Sequence, residues 1–210
     1  MSPTRAALVF AAQQSFATRG FTGTSIRKLS AAVGIKESSF YNHFPSKQAL
    51  LDAVLEKAEE SLLKVAGKFQ IPIEDAAAAA PIFESISLEH LEAAALGFLD
   101  MWVNDPDFVA ARRLLTIEQY HTAKAERILR SLTIDRPVAF QTELFALLIA
   151  QGAMRSVDPA VLALAFWGPI FTILHAADAP SELNYAQDQL KSHLQHFRDT
   201  YVITDHQEIP

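Results

Sequence analysis

The chain has no cysteine among its 210 residues. Disulfides, thiolate zinc sites and a catalytic thiol are therefore excluded, and the composition fits a reducing compartment. Glycine is scarce, at seven residues, whereas alanine occurs 34 times. Alanine is the best helix former and glycine among the worst, so an all-α protein is expected. The ten prolines fall mostly between apolar periodic stretches. There is no internal repeat, and no stretch alternates well enough to predict a strand. HExxH, GxSxG and glycine-rich phosphate loops are missing too. Neither an enzyme nor a cofactor is expected. Long apolar runs are few. Ala6–Ala12 follows Arg5 but stops at Gln13 and Gln14, and Leu8, Ala12 and Phe16 recur as in an amphipathic helix, not a signal peptide. Ala160–Leu174 carries no charge, but it is shorter than the roughly 20 residues that span a bilayer and contains Pro169. It reads as a helix of a soluble core or interface, and no membrane partner is expected.

The formal net charge is −6. Taken whole, an acidic chain argues against a nonspecific nucleic-acid coat. The charge is unevenly placed, however. Residues 1–50 hold six Lys or Arg against the single acid Glu37, a net +5, and residues 51–210 hold the compensating −11. A basic head on an acidic body can hold phosphates on one face.

In the basic head, Thr4–Thr18 reads as a first helix stopped by Gly20. Thr24 and Ser25 can cap a second, with Ile26, Leu29 and Val33 on one face, ended by Gly34. Ile35–Phe44 holds a short third helix closed by Pro45, and Ser46 caps a fourth that runs from Lys47 to about Lys68. Ser30 and Gly34 supply the small residue and the left-handed turn that a tight helix crossing needs. This is a three-helix helix-turn-helix unit whose third helix would lie in the major groove. Ser38, Ser39, Tyr41, Asn42 and His43 on that helix can bond phosphates or base edges. Lys36, Arg27 and Lys28 add charge, while Thr24, Ser25 and Ser46 stand at helix N-termini that favour a phosphate.

Over Leu8–Leu51 the chain resembles the DNA-binding domain of the TetR family of bacterial transcriptional regulators. Ala11-Ala12, Phe16, Gly20-Phe21, Thr24, Gly34, the Tyr41-x-His43-Phe44 group, Lys47 and Leu50 all fall at the family's spacing. The resemblance implies that Tyr41 and Lys47 contact backbone phosphates, that Ser38, Ser39 and Asn42 face the groove, and that His43 lies near the phosphates. Lys36 stands where the family often has a small capping residue, and Glu37 where a basic or polar one is frequent. An acid there suits the helix dipole, and it can accept from a cytosine amino group.

The expected organisation is a helix-turn-helix domain over residues 1–50 and a helical bundle over 51–210 for effector binding and dimerisation. Residues 70–81 look like a break or weak helix, and six apolar helical segments follow. By the resemblance, the last two long helices form a homodimer seam. Leu162, Ala165, Phe166, Pro169, Ile170, Ile173, Leu183, Leu190, Leu194, Phe197 and Tyr201 fit it, although an intrachain core explains many of them equally well. Bulky residues suggest an apolar effector site: Phe98, Met101, Trp102, Tyr120, Phe140, Leu144, Phe145, Phe166, Trp167 and Phe171, with His121, Gln141 and His175 among the polar groups. His193 and His196 stand three apart, a spacing able to clamp a metal, but with no third ligand no metal site is expected. The reading is a cytoplasmic homodimeric regulator, a repressor released from a two-fold operator by a small, largely apolar or aromatic effector that tilts helix four. The alternatives are a helical small-molecule-binding or enzymatic bundle without DNA binding, or an activator of the same fold.

Overall fold

The computed structural model describes residues 2–66, 75–178 and 180–203. Eleven α-helices and no strand occur among them: α1 Pro3–Arg19, α2 Ile26–Ala32, α3 Glu37–Phe40, α4 Lys47–Ala66, α5 Ala76–Ser85, α6 Leu88–Asn104, α7 Pro106–Glu118, α8 Ala123–Arg130, α9 Arg136–Ala150, α10 Pro159–Ala176 and α11 Leu183–Tyr201. The all-α expectation holds. Side-chain caps set many of the starts. Ser2, Ser25, Asp75, Ser87, Thr122 and Asp158 each accept from a backbone N–H of the first turn. The expected weak segment is a regular helix from Ala76 that carries Pro81 inside it. A run of five alanines gives it helical propensity enough to tolerate the missing N–H. The start of that segment, residues 70–74, lies outside the described residues.

The helices divide into two compact units. The first contains Met1–Val65 together with Pro106–Leu132, and the second Ala66–Asp105 together with Thr133–Pro210. The first compact unit thus extends past residue 50. It takes in nearly all of α4, and α7 packs on α1 with α8 against α7. Helix α4, expected to run through both regions, has all but its last residue in the first unit.

In the first unit, Leu8, Phe16, Leu29, Phe40, Phe44 and Leu50 are essentially inaccessible to solvent. They come from four helices and fill one core, worth about 2 kcal/mol each for full burial of such side chains. Ile26, Val33 and Ile35 are only half-buried. Gly34 has φ +72°, the left-handed conformation that joins α2 to α3, and Ser30 is buried at the crossing. From α7, Leu114 and Leu115 are buried, and the Gln13 amide donates to the Asp107 carbonyl at 3.3 Å.

In the second unit, α9 packs on α5 and α10, and α11 on α6 and α10. Its core gathers Ala79, Leu144, Phe145, Leu148, Met154, Leu162, Ala163 and Phe197. After α11, Ile203 N–H donates to Ala153 O at 2.9 Å and Arg155 N–H to Tyr201 O at 2.8 Å, a short antiparallel clip on the chain's last described turn.

Candidate nucleic-acid interface

The exposed edge of α2 and α3 carries most of the expected DNA-facing residues. Ser25, Arg27, Lys28, Lys36, Glu37, Ser38, Asn42 and Ser46 are exposed, Ser39 and His43 half-buried. Tyr41 is 55% exposed although aromatic, with its ring edge-on to Phe40 at 5.4 Å between centroids. Phe40 and Phe44 beneath are wholly core. The backbone explains the alternation. Glu37–Phe40 forms one α-helical turn, and Asn42 and His43 continue it by donating to Ser39 O and Phe40 O. Phe40 and Phe44, four apart, bind this short element to the core, and the intervening polar residues turn outward.

Two helix starts carry capping serines, as expected. Ser25 Oγ accepts from Lys28 N–H, and Ser46 Oγ accepts from Ala49 N–H. Thr24 departs from expectation. It is 1% exposed, and its hydroxyl donates to Gly20 O and lies 3.0 Å from Ser15 Oγ. It closes the α1–α2 turn and does not present its side chain to a phosphate.

Lys47 also departs. Its ammonium donates to the Phe21 carbonyl and sits 4.2 Å from the centroid of the Phe21 ring. Burial lowers its pKa, and the Glu118 carboxylate opposes that shift. Glu118 is 2% exposed and accepts from Phe21 N–H at 2.7 Å. Its partner lies 97 residues away in sequence, so no local pattern could have found it. Arg5 is a second contributor missed in the sequence. Its guanidinium donates to His43 O at 2.6 Å and stacks 4.0 Å from the Phe44 ring centroid.

The expected effector residues fall in both units. Tyr120 is 84% exposed and His121 is exposed, both in the first unit beyond the end of α7. The others lie in the second unit. There Phe98, Trp102, His175 and Phe171 form a chain of rings, with centroid separations of 6.0, 5.4 and 4.0 Å in that order. Met101 is buried on the same helix as Phe98 and Trp102. Leu144, Phe145 and Phe166 belong instead to the packed core around Phe197, whose centroid is 4.8 Å from Phe166 and 5.6 Å from Phe145, and Phe140 packs against that core. Trp167 Nε1 donates to Thr133 O at 2.8 Å. Gln141 is buried, and its amide oxygen has no hydrogen-bond partner.

The expected dimer seam divides in the same way. Leu162, Ile170, Leu190, Leu194 and Phe197 are buried within the chain itself, because α10 and α11 pack on each other. Ala165, Phe166, Ile173, Leu183 and Tyr201 are half-buried. Pro169 is exposed, as are Val161 and Leu164 elsewhere on α10, each 58% exposed. Only four residues of α10 are buried. By length and composition it is the one described helix that could cross a membrane, and Pro169 interrupts it. His193 does not offer a free metal-binding edge. Its Nε2 lies 2.9 Å from Phe166 O, burial lowers its pKa, and no group of three potential metal ligands occurs among the described residues.

Comparison with known proteins places this geometry. Residues 8–54 match the family model described as bacterial regulatory proteins, tetR family. The chain is 39% identical over 56 residues to the HTH-type transcriptional repressor DhaR of Mycobacterium sp. strain GP1, covering 27% of this chain and 28% of that protein. That match spans less than a third of the relative's length. With the HTH-type transcriptional regulator RutR of Escherichia coli K12 it is 28% identical over 169 residues, 80% of this chain and 72% of RutR. Among solved structures, a complex of SmeT with triclosan superposes with TM-score 0.66 at 17% identity, over 100% of this chain and 96% of that one. SmeT is the repressor of the Stenotrophomonas maltophilia multidrug efflux pump SmeDEF. At that identity the likeness is one of fold, whereas the sequence match over residues 8–54 falls on the helix-turn-helix unit. The N-terminal unit, over residues 8–54, is thus what the chain shares in sequence with the tetR family of bacterial regulatory proteins.

Proposed function

We propose that the protein is a ligand-responsive, DNA-binding transcriptional repressor that acts as a homodimer in the cytoplasm. The observation that carries this reading is the exposed Ser38–Asn42 edge, held on Phe40 and Phe44 within a tetR-type domain. Tyr41 and the Lys28, Lys36 and Arg27 cations bind backbone phosphates, and Ser39 and Asn42 read base edges. One such unit reads one half-site, so a two-fold operator pairs two of them. The exposed apolar face of α10, with Val161 and Leu164, supplies the surface for pairing.

The effector region is the ring chain of Phe98, Trp102, Phe171 and His175 in the second unit. Such a lining suits a small, largely apolar or aromatic molecule. Ligand binding shifts the balance toward a state with lower DNA affinity, and the differential affinity for the two states limits the release. The tetR-family match over residues 8–54 and the similarity of that region to the transcriptional repressor DhaR support regulation over an enzymatic bundle. A mobility-shift assay with the DNA upstream of the protein's own gene tests the reading. Retardation at nanomolar to micromolar protein supports it, and none at any salt concentration overturns it.

A further inference from the structure

The carboxylate of Glu118 closes α7, where the helix carbonyls repel negative charge. It is 2% exposed and makes one hydrogen bond, from Phe21 N–H. A buried carboxylate in such a place needs a counter-charge. Lys47, at the start of α4, brings a cation to the same turn. Its ammonium sits on the Phe21 carbonyl and ring, within the field of Glu118. Gly20 turns the chain here with φ +68°, and a Cβ on it would make ordinary contact, 3.7 Å from Glu118 Oε1 and 3.5 Å from Ile117 Cγ2. All of these residues lie in the first unit.

A lysine stem has four rotatable carbons, and its ammonium can swing between an internal partner and the surface. On the reading that this unit binds DNA, Lys47 is at once a counter-ion for Glu118 and a candidate phosphate ligand. We propose that Glu118 is a positioning residue for DNA binding: it holds the Lys47 ammonium on the Phe21 turn, in competition with DNA phosphate. Without the carboxylate, the carbonyl and ring of Phe21 do not compensate a partly desolvated ammonium, and Lys47 turns out to the DNA-facing surface. The chain arrives at α7 directly from the second unit at Asp105–Pro106. A pull on α7 would therefore act on the carboxylate that holds this cation.

Glu118→Gln separates charge from geometry, because its amide oxygen can still accept from Phe21 N–H. In salt-dependent binding of the full chain to duplex DNA, Glu118→Gln should steepen the slope of log K against log salt by about 0.9 per protomer. In the Glu118→Gln background, Lys47→Met should remove the increment. The inference is overturned if Lys47→Met flattens the wild-type slope while Glu118→Gln changes nothing. A DNA-free readout separates this inference from the functional reading. Carbon-13 reductive methylation of the lysines, followed by NMR titration, should show Lys47 titrating below the other lysines in the wild type and alongside them in Glu118→Gln. An unchanged or still lower value in Glu118→Gln overturns the inference, whether or not DNA binds.

Discussion

The guanidinium of Arg5 donates to the His43 carbonyl at 2.6 Å, joining the first turn of α1 to the end of the DNA-facing segment 38 residues later. The same group stacks on Phe44. A charge-assisted hydrogen bond and a cation–π contact together hold an element with a single α-helical turn. Arg5→Ala should lower stability by about 1–3 kcal/mol in urea denaturation and weaken DNA binding, while Arg5→Lys recovers little because it lacks the planar fork. A variant as stable as the wild type would show that Arg5 is not what fixes the segment.

Tyr41 and Asn42 should separate affinity from sequence preference. Tyr41→Phe removes a phosphate donor and should weaken operator and random DNA by the same factor. Asn42→Ala or Ser39→Ala should change the consensus selected from a random duplex library. Identical consensus sequences for Asn42→Ala and wild type would remove these side chains from base readout.

Gly34 bears on the turn geometry. A Cβ at this position meets no atom within 4 Å, yet φ is +72°. Gly34→Ala should therefore cost about 1 kcal/mol through backbone strain alone. A thermal melt that does not shift would contradict the left-handed turn.

Much of this N-terminal unit could be read in the sequence, because its residues are local and their offsets fixed: Phe16, Gly34, Phe40 and Phe44 sit where the spacing puts them. What could not be read was set by distant partners. Thr24 has the composition of a phosphate-binding cap, but Ser15 and Gly20 enclose its hydroxyl. Glu118 has the pattern of a surface acid, but the Phe21 turn buries it. In α10 and α11, helical periodicity marks an apolar face without saying what covers it. Leu162, Leu190, Leu194 and Phe197 are covered within their own chain, while Val161 and Leu164 are not. Tyr120 and Phe98 look alike as bulky candidates, and only the fold puts them in different units.

In the proposed dimer, Val161 and Leu164 of α10 lie between the two copies. Light scattering should give twice the 23.2 kDa chain mass, and Leu164→Glu should give the monomer, because a charge buried in an apolar interface is costly. A Leu164→Glu protein that remains dimeric would move the interface elsewhere.

His193 should make stability pH-dependent. Its pKa is lowered from 6.5 first by burial, against the opposing bond to the Phe166 carbonyl, with His196 adding to the lowering. The unfolded chain then binds a proton at a higher pH than the folded one, so stability is full above about pH 6.5 and falls as the pH drops toward the folded value. His193→Gln should flatten the urea-midpoint profile over that window. An unchanged profile would show that the loss arises from other groups.

The central claim is that this chain reads a symmetric DNA site through the Ser38–Asn42 edge of two protomers. Selection of binding sites from a random duplex library with the full-length protein tests it most directly. The account predicts enrichment of a two-fold symmetric consensus, with half-sites spaced about one turn of DNA (~34–36 Å) or a multiple of it. No enrichment, or an asymmetric single half-site bound by a monomer, would contradict it.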